Sequence, residues 1–270
     1  MRQDAHRAIG VFDSGVGGLT VLKALTERLP QESTVYLGDT ARVPYGTKSP
    51  EVVTRYSLQN AEFLLARRIK LLVVACNTAS AVALPELKAK LGIPVLGVIE
   101  PGAQTAAKLS RSGVIGVVGT WGTVSSGAYQ RALEAARPGV QVKARACPLF
   151  VPLAEEGWVN GEVPRLVTTE YLSEFAHGID TLVLGCTHYP LLRGVIGEVV
   201  GPKVALVDSA EATAEAAAQL LADADLLATG LRAVERHYFV TDVPERFLAV
   251  GERFLGRPLA GAQQVDIRFG

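Results

Sequence analysis

The chain has 270 residues, of which 49% are hydrophobic, so it can bury the core of one large domain or of two smaller ones. Its 27 basic side chains equal its 27 acidic ones in number, and this balance argues against a nucleic-acid-binding protein, which carries a basic face. The first residues are mostly polar, and no apolar run approaches the roughly 18 residues of a membrane span. We therefore expect neither an export signal nor a membrane partner.

The chain has three cysteines, Cys76, Cys147 and Cys186. An odd number of cysteines without an export signal predicts reduced thiols rather than disulfides. This indicates a cytoplasmic protein whose thiols remain available for chemistry.

Apolar, strand-sized runs alternate with longer segments of helical periodicity. In chain order, we predict strand 9–12, helix 18–28, strand 34–37, helix 50–68, strand 70–75, helix 79–90, strand 94–99, helix 103–109, strands 114–119 and 140–146, helix 163–176, strand 181–185, helix 191–200, strand 204–207, helix 210–227 and strand 238–241. Most strand segments are continuous Val, Ile and Leu runs, which are typical of strands covered by helices on both faces. The alternation predicts an α/β fold with mostly parallel sheets.

Two segments share one pattern, in which an apolar strand ends in a cysteine and a helical segment follows. Thr78 lies just after Cys76 in the first segment, and Thr187 follows Cys186 in the second. Open parallel sheets bind ligands at the carboxyl ends of their strands, and the amide groups at a helix start favour a thiolate. The pattern predicts two α/β halves that each deliver one reactive cysteine.

Polar side chains surround both cysteines: Asn77, Thr78 and Ser80 beside Cys76, and Thr187, His188 and Tyr189 beside Cys186. Amide and hydroxyl groups suit the α-carboxylate and α-ammonium groups of an amino acid. His188 could tune the Cys186 thiol or carry its proton. The alternative interpretation is a hydrogen-bonded histidine of the core.

The first loop, residues 12–19, is rich in glycine and joins a strand to a helix. It fails the dinucleotide-binding pattern because Thr20 stands where the third glycine is needed, and it lacks the Gly-Lys-Ser/Thr of a phosphate loop. Its glycines allow a ligand to approach the backbone closely. Asp13 could contact a substrate ammonium group or act as the acid–base partner of a thiol, and its alternative role is a helix N-cap.

Metal ions and cofactors fit the sequence poorly. Cys186 and His188 form one possible ligand pair, but no second pair lies at ligand spacing, and no lysine in these strand-end motifs could form a pyridoxal Schiff base. Cys147, which Pro148 follows directly, is interpreted as a small buried apolar residue. We therefore expect neither a metal nor a cofactor.

Two thiols without a cofactor indicate proton transfer at a carbon atom. One base removes a proton from one face, and the other returns a proton to the opposite face. The pKa of a cysteine can be tuned toward neutrality, so both protonation states are accessible. Preorganised amide donors are needed to stabilise the carbanion-like state.

Seven stretches together resemble the glutamate racemases of the aspartate/glutamate racemase family: GVFDSGVGGLT (10–20), YLGDTARVPYG (36–46), VVACNTASA (73–81), GVIEPG (97–102), FVPLAEEG (150–157), LGCTHYPLL (184–192) and VDSA (207–210). This resemblance implies two similar three-layer α/β domains with the substrate in the cleft between them. We expect residues 1–98 and 210–270 to form the first domain and residues 99–209 the second. The family commonly forms homodimers and supplies D-glutamate for bacterial peptidoglycan.

The resemblance also implies a role for each site residue. Cys76 would deprotonate D-glutamate with the assistance of Asp13, and Cys186 would deprotonate L-glutamate with the assistance of Glu155 and His188. The implied substrate contacts are Asp13, Ser14, Tyr45, Gly46, Asn77, Thr78, Thr123, Thr187 and His188. Two details stay open: the assisting carboxylate could be Glu156 instead of Glu155, and Gly122 stands where the family often has Ala.

Three alternatives to glutamate racemisation remain at this point. Aspartate or another acidic amino acid differs by only one methylene, which a pocket distinguishes by about 1–3 kcal/mol. A cysteine hydrolase would use Cys186 with His188 and would not need Cys76. A ligand-binding α/β protein would need neither thiol.

Overall fold

The computed structural model describes residues 4–175, 178–229 and 233–267. Its strands are β1 (Ile9–Asp13), β2 (Thr34–Gly38), β3 (Leu71–Val74), β4 (Val95–Gly97), β5 (Val114–Gly119), β6 (Gln141–Ala146), β7 (Thr181–Gly185), β8 (Ala205–Asp208), β9 (Arg236–Val240) and β10 (Gln263–Gln264). One six-stranded sheet has the order β10-β9-β2-β1-β3-β4, and a four-stranded sheet has the order β6-β5-β7-β8. Neighbouring strands are parallel throughout both sheets, which confirms the predicted fold class.

The α-helices are α1 (Leu19–Arg28), α2 (Pro50–Leu65), α3 (Asn77–Val82), α4 (Leu84–Lys90), α5 (Ile99–Leu109), α6 (Trp121–Ser125), α7 (Ala128–Ala136), α8 (Phe150–Glu156), α9 (Glu162–Leu172), α10 (Arg193–Val200), α11 (Ser209–Asp223) and α12 (Pro244–Leu255). Short 3₁₀ helices lie at Asp4–His6, Tyr45–Thr47, Ser173–Phe175 and Tyr189–Leu192. Among the described residues, none of the helices has the length and apolar composition needed to cross a membrane.

Each sheet is covered by helices on both faces. Ile9 and Val11 of β1 pack with α1, α11 and α12 on one face, whereas Phe12 packs with α2, α3 and α4 on the other. In the second sheet, Leu182 packs with α9 and α10, and Val183 packs with α5 and α7. Successive residues of a strand point to opposite faces, so continuous apolar runs fill both cores at once.

Several predicted elements are corrected by the structure. The predicted helix 79–90 begins earlier, at Asn77, and is two helices, because Pro85 occupies the first turn of α4, where its missing N–H is tolerated. The predicted strand 94–99 ends at Gly97, and Ile99 already begins α5. The predicted helix 50–68 ends at Leu65, before Arg68 adopts a left-handed φ of 54°.

Other corrections concern helix ends and elements without a sequence prediction. The predicted helix 210–227 ends at Asp223, and the predicted helix 191–200 starts as a 3₁₀ turn with Pro190. The predicted helix 163–176 is α9 followed by a 3₁₀ turn, and residue 176 lies outside the described residues. Helices α6, α7, α8 and α12 and strand β10 were not predicted.

Candidate active site

Both predicted cysteines lie where a parallel sheet ends and a helical segment begins. Cys76 directly precedes α3 and occupies its N-cap position, and Cys186 follows β7 before the 3₁₀ turn that starts at Tyr189. Both thiols are free and buried. The carboxyl ends of β3 and β7 therefore each present one buried thiol.

The glycine-rich loop after β1 contacts both cysteine segments: Ser14 lies beside Cys76, and Gly17 packs against Thr187 and His188. A Cβ atom at Gly17 would lie 2.3 Å from Thr187 Oγ1 and 2.5 Å from His188 Nδ1, so only glycine fits there. In the same loop region, Thr20 Oγ1 donates a hydrogen bond to the Thr187 carbonyl oxygen over 3.3 Å. This loop brings Asp13 and Ser14 to the place where the Cys186 segment packs.

Cys76 has Asp13 and Ser14 as its polar neighbours. Its Sγ atom lies 3.7 Å from Ser14 Oγ. Burial and the nearby charge of Asp13 raise the pKa of Cys76 to about 12, so this thiol holds its proton at neutral pH. The Asp13 carboxylate accepts a hydrogen bond from Gly15 N (2.9 Å), but its Oδ1 atom has no hydrogen-bond partner among the described residues. Burial raises the pKa of Asp13 as well.

Cys186 has a different set of partners. Its Sγ atom lies 3.8 Å from His188 Nδ1, and His188 Nε2 lies 3.0 Å from Glu155 Oε1. Burial alone lowers the pKa of a histidine, but the hydrogen bonds with Cys186 and Glu155 outweigh it and raise the pKa of His188 to about 10. The same bond from His188 holds the pKa of Glu155 below its ordinary value. This triad places an imidazolium beside the sulfur of Cys186 at neutral pH.

The two neighbouring glutamates have different surroundings. Glu155 contacts His188, whereas Glu156 is exposed and lies 3.6 Å from Arg246 Nη2. Arg246 also lies 3.8 Å from Glu155 Oε2, and Arg253 donates a hydrogen bond to the Glu155 carbonyl oxygen. Of the two carboxylates left open by the sequence, Glu155 is the one that contacts the histidine.

Asn77 and Thr78 contact residues of the second sheet's layer. Thr78 Oγ1 lies 2.9 Å from Thr120 Oγ1 and 3.2 Å from Thr123 Oγ1. The Oδ1 atom of Asn77 accepts a hydrogen bond from the Tyr129 hydroxyl over 2.7 Å. Predicted residues from both halves of the chain are thus brought together. Ser80 is different, because its hydroxyl donates to the Val74 carbonyl oxygen and accepts a hydrogen bond from Val98 N.

Gly46 packs against Thr120, whereas the Tyr45 side chain contacts other residues. The Tyr45 hydroxyl donates to the Asp39 carboxylate and accepts a hydrogen bond from Asn60 Nδ2 (3.0 Å), so it is occupied away from the cysteines. A Cβ atom at Gly46 would lie 2.5 Å from Thr120 Cβ. Gly122 is packed tightly as well, since a Cβ there would lie 3.1 Å from the Gly46 carbonyl oxygen.

Cys147 lies in the same apolar core as Cys186, and its Sγ atom lies 3.8 Å from the Arg145 carbonyl oxygen. It is fully buried in the core formed around Phe150 and Leu184, and burial raises its pKa to about 12. Among the described residues, no cluster of His, Cys, Asp and Glu side chains could hold a metal ion.

The sequence profile of the Asp/Glu/Hydantoin racemase family matches residues 9–217. The chain belongs to this racemase family. It is 61% identical to a glutamate racemase of Geobacter metallireducens over 262 residues, with 97% of each sequence covered. Among solved structures, a glutamate racemase of Bacillus anthracis has a TM-score of 0.93 at 40% identity, with 97% of this chain and 98% of that chain covered. A glutamate racemase of Francisella tularensis, solved with D-glutamate, has a TM-score of 0.91 at 38% identity over the same shares.

Membership of the racemase family confirms the resemblance predicted from the seven motifs. Sequence reasoning did not single out Thr120, Tyr129, Arg246 or Arg253, each of which contacts a predicted site residue. Thr120 carries one local signal, since it caps α6 directly after the apolar strand β5. The other three lie on α7 and α12, and no signal near them in the sequence indicates their contacts with the site.

Proposed function

We propose that this protein interconverts L- and D-glutamate without a cofactor, using Cys76 and Cys186 as bases on opposite faces of the α-carbon. The observation that carries the proposal is the pair of buried thiols at strand ends. Cys76 lies near the carboxylate of Asp13, and Cys186 lies beside His188, which contacts the carboxylate of Glu155. The curated glutamate racemases that cover almost the whole chain support glutamate as the substrate.

In the direction from L to D, Cys186 removes the α-proton and Cys76 returns one to the other face. The raised pKa of Cys76 suits this role, because the thiol holds a proton to deliver. The His188 imidazole lies beside the sulfur of Cys186, and Glu155 holds the imidazole in place. The reverse direction exchanges the two roles, with Asp13 assisting Cys76.

The substrate would be held by groups from both halves of the chain. Asp13 suits the α-ammonium group because its Oδ1 atom lacks a partner among the described residues. The other proposed contacts, which offer hydroxyl, amide, imidazole or backbone groups, are Ser14, Tyr45, Gly46, Asn77, Thr78, Thr123, Thr187 and His188. The hydroxyl, imidazole and backbone donors among them stabilise the negative charge that develops on the carboxylate during proton removal.

The wider predictions from the sequence are part of this proposal. We propose that the enzyme supplies D-glutamate for peptidoglycan, works in the cytoplasm and forms a homodimer. We also propose two domains, residues 1–98 with 210–270 and residues 99–209. The division is supported by the strands, since those of the six-stranded sheet lie within 9–97 and 236–264 and those of the other within 114–208.

The first test is the optical activity of amino acids incubated with purified protein that has been stripped of metals and carbonyl cofactors. We expect the circular dichroism of L-glutamate to decay to zero and that of L-aspartate to change far more slowly. Faster decay with L-aspartate would transfer the assignment to that substrate. No change with either acid would refute the proposed activity.

A further inference from the structure

One tyrosine contacts both cysteine segments. Tyr129 lies on α7, fully buried. Its ring packs against Gly185, the residue before Cys186, since a Cβ atom at Gly185 would lie 2.9 Å from Tyr129 Cε2. Its hydroxyl donates to Oδ1 of Asn77, the residue after Cys76, over 2.7 Å. Tyr129 therefore links the carboxyl ends of the two sheets.

The Tyr129 hydroxyl is held as a hydrogen-bond donor to Asn77. Burial raises the pKa of Tyr129 well above its ordinary range, although the nearby Ser209 side chain, at the start of α11, opposes this rise. A phenol that keeps its proton has a single O–H to donate, and it directs that O–H toward an acceptor. In this structure that acceptor is Asn77 Oδ1.

The bond from Tyr129 decides which way the Asn77 amide points. An asparagine side chain has one acceptor oxygen and one NH₂ donor group, which exchange places when the amide turns over. With Oδ1 bound to Tyr129, the NH₂ group takes the opposite position. The Asn77 Nδ2 atom is buried and has no hydrogen-bond partner within the described part of the chain, although buried donors are almost always paired.

We propose that Tyr129 is a positioning residue that fixes the Asn77 amide with its NH₂ group free to bind a carboxylate of the substrate. This inference rests on the proposed function, because glutamate is the ligand that supplies the carboxylate. It adds a residue from α7 to the site and explains why a donor beside Cys76 lacks a protein partner.

Steady-state kinetics of Tyr129→Phe test the proposal, since phenylalanine keeps the ring against Gly185 and removes only the hydroxyl. We expect KM for both glutamate isomers to rise about tenfold, while kcat falls less than threefold, because the unbound amide turns over in the absence of its tether. The matched control is Tyr238→Phe, which removes a buried hydroxyl that has no partner among the described residues, and its KM should stay within twofold of the wild type.

A double-mutant cycle separates positioning from a structural role. If Tyr129 acts through Asn77, Tyr129→Phe should change KM less than twofold in an Asn77→Ala background. An unchanged KM in the single variant, or effects that multiply in the double variant, would overturn the inference. If Tyr129→Phe does not fold, Ser209→Ala removes a side chain beside the same hydroxyl and should raise KM about fivefold, above the twofold limit of the control and again only when Asn77 is present. Absence of racemisation by the wild type would refute the proposed function itself.

Discussion

At the scale of single residues, the two thiols differ in their partners. Cys76 lies beside a buried carboxylate and a hydroxyl, and its pKa is raised by burial and the Asp13 charge. Cys186 lies beside an imidazole that Glu155 holds. A racemase acts on mirror-image substrates with a chiral site, so its two bases need not have equivalent surroundings. The charge on His188 distinguishes the two sides.

The charge on His188 predicts a pH-dependent contribution to stability. Its pKa is raised from 6.5 to about 10 in the folded protein, so folding favours the protonated form. This contribution is complete below pH 6.5 and disappears as the pH rises toward 10. We expect His188→Asn to lower the free energy of unfolding by at least about 1.4 kcal/mol more at pH 6.5 than at pH 10, which corresponds to one pKa unit.

Urea unfolding of both proteins across this pH range measures the difference. His237→Asn is the control, because His237 is exposed and pairs with an exposed Glu235, and exposed ion pairs contribute little. A stability difference for His188→Asn that does not vary with pH would show that folding does not raise the pKa of His188.

At the scale of elements, the site depends on how closely two loops approach each other. Asp13 ends β1 and Ser14 begins the loop after it, and the loop after β7 carries Thr187 and His188. They meet at Gly17, where the absent side chain leaves space for Thr187 Oγ1 and the His188 ring. The glycine-rich loop does not match the dinucleotide-binding pattern. Its Gly17 instead allows the loop backbone to approach the side chains of Thr187 and His188.

Gly17→Ala is expected to separate these two loops. Its Cβ would require Thr187 and His188 to move by more than a few tenths of an ångström, and displacement of a reacting group by about 1 Å can cost ~100-fold in rate. We expect kcat/KM to fall by about that factor in both directions. Gly15→Ala is the matched control in the same loop, since its Cβ would meet only Val43 Cγ2 at an ordinary 3.6 Å. Equal activities of the two variants would contradict this account of the loop.

At the scale of the whole molecule, two parallel sheets deliver their strand ends to one site. Helix α5 packs against both α7 and α11, so it joins the layers of the two sheets. At the opposite end of the six-stranded sheet, buried Lys70 pairs with Glu32 (2.5 Å) and donates to the carbonyl oxygens of Ala5 and Leu226. This buried ion pair therefore lies away from the site at the carboxyl ends of the strands.

The sequence predicted the features that are encoded locally. The strands were recognisable because a strand buried on both faces is apolar at every position, as in β3 and β7. Cys76 and Cys186 were recognisable because cysteine is rare in this chain and both follow such strands. Asn77, Thr78, Thr187 and His188 could be proposed because they adjoin the thiols.

What the sequence did not predict depends on contacts between distant segments. Tyr129 lies more than fifty positions from both Asn77 and Gly185, and its hydroxyl acquires a function only when α7 packs beneath both strand ends. Arg246 and Arg253 reach Glu155 from α12, at the other end of the chain. The helix break at Pro85 has a local cause, but a helical pattern on both sides of the break concealed it.

The two-base mechanism is tested most directly by variants in which one cysteine is replaced. The measurement is exchange of the α-hydrogen of glutamate for deuterium in D₂O. We expect Cys76→Ser to lose racemisation by about 10²–10⁴-fold yet still to exchange the α-proton of L-glutamate, and Cys186→Ser to exchange only that of D-glutamate. Cys147→Ala should racemise and exchange both isomers as the wild type does. Near-normal racemisation by Cys76→Ser or Cys186→Ser, or exchange of both isomers by either variant, would contradict the mechanism.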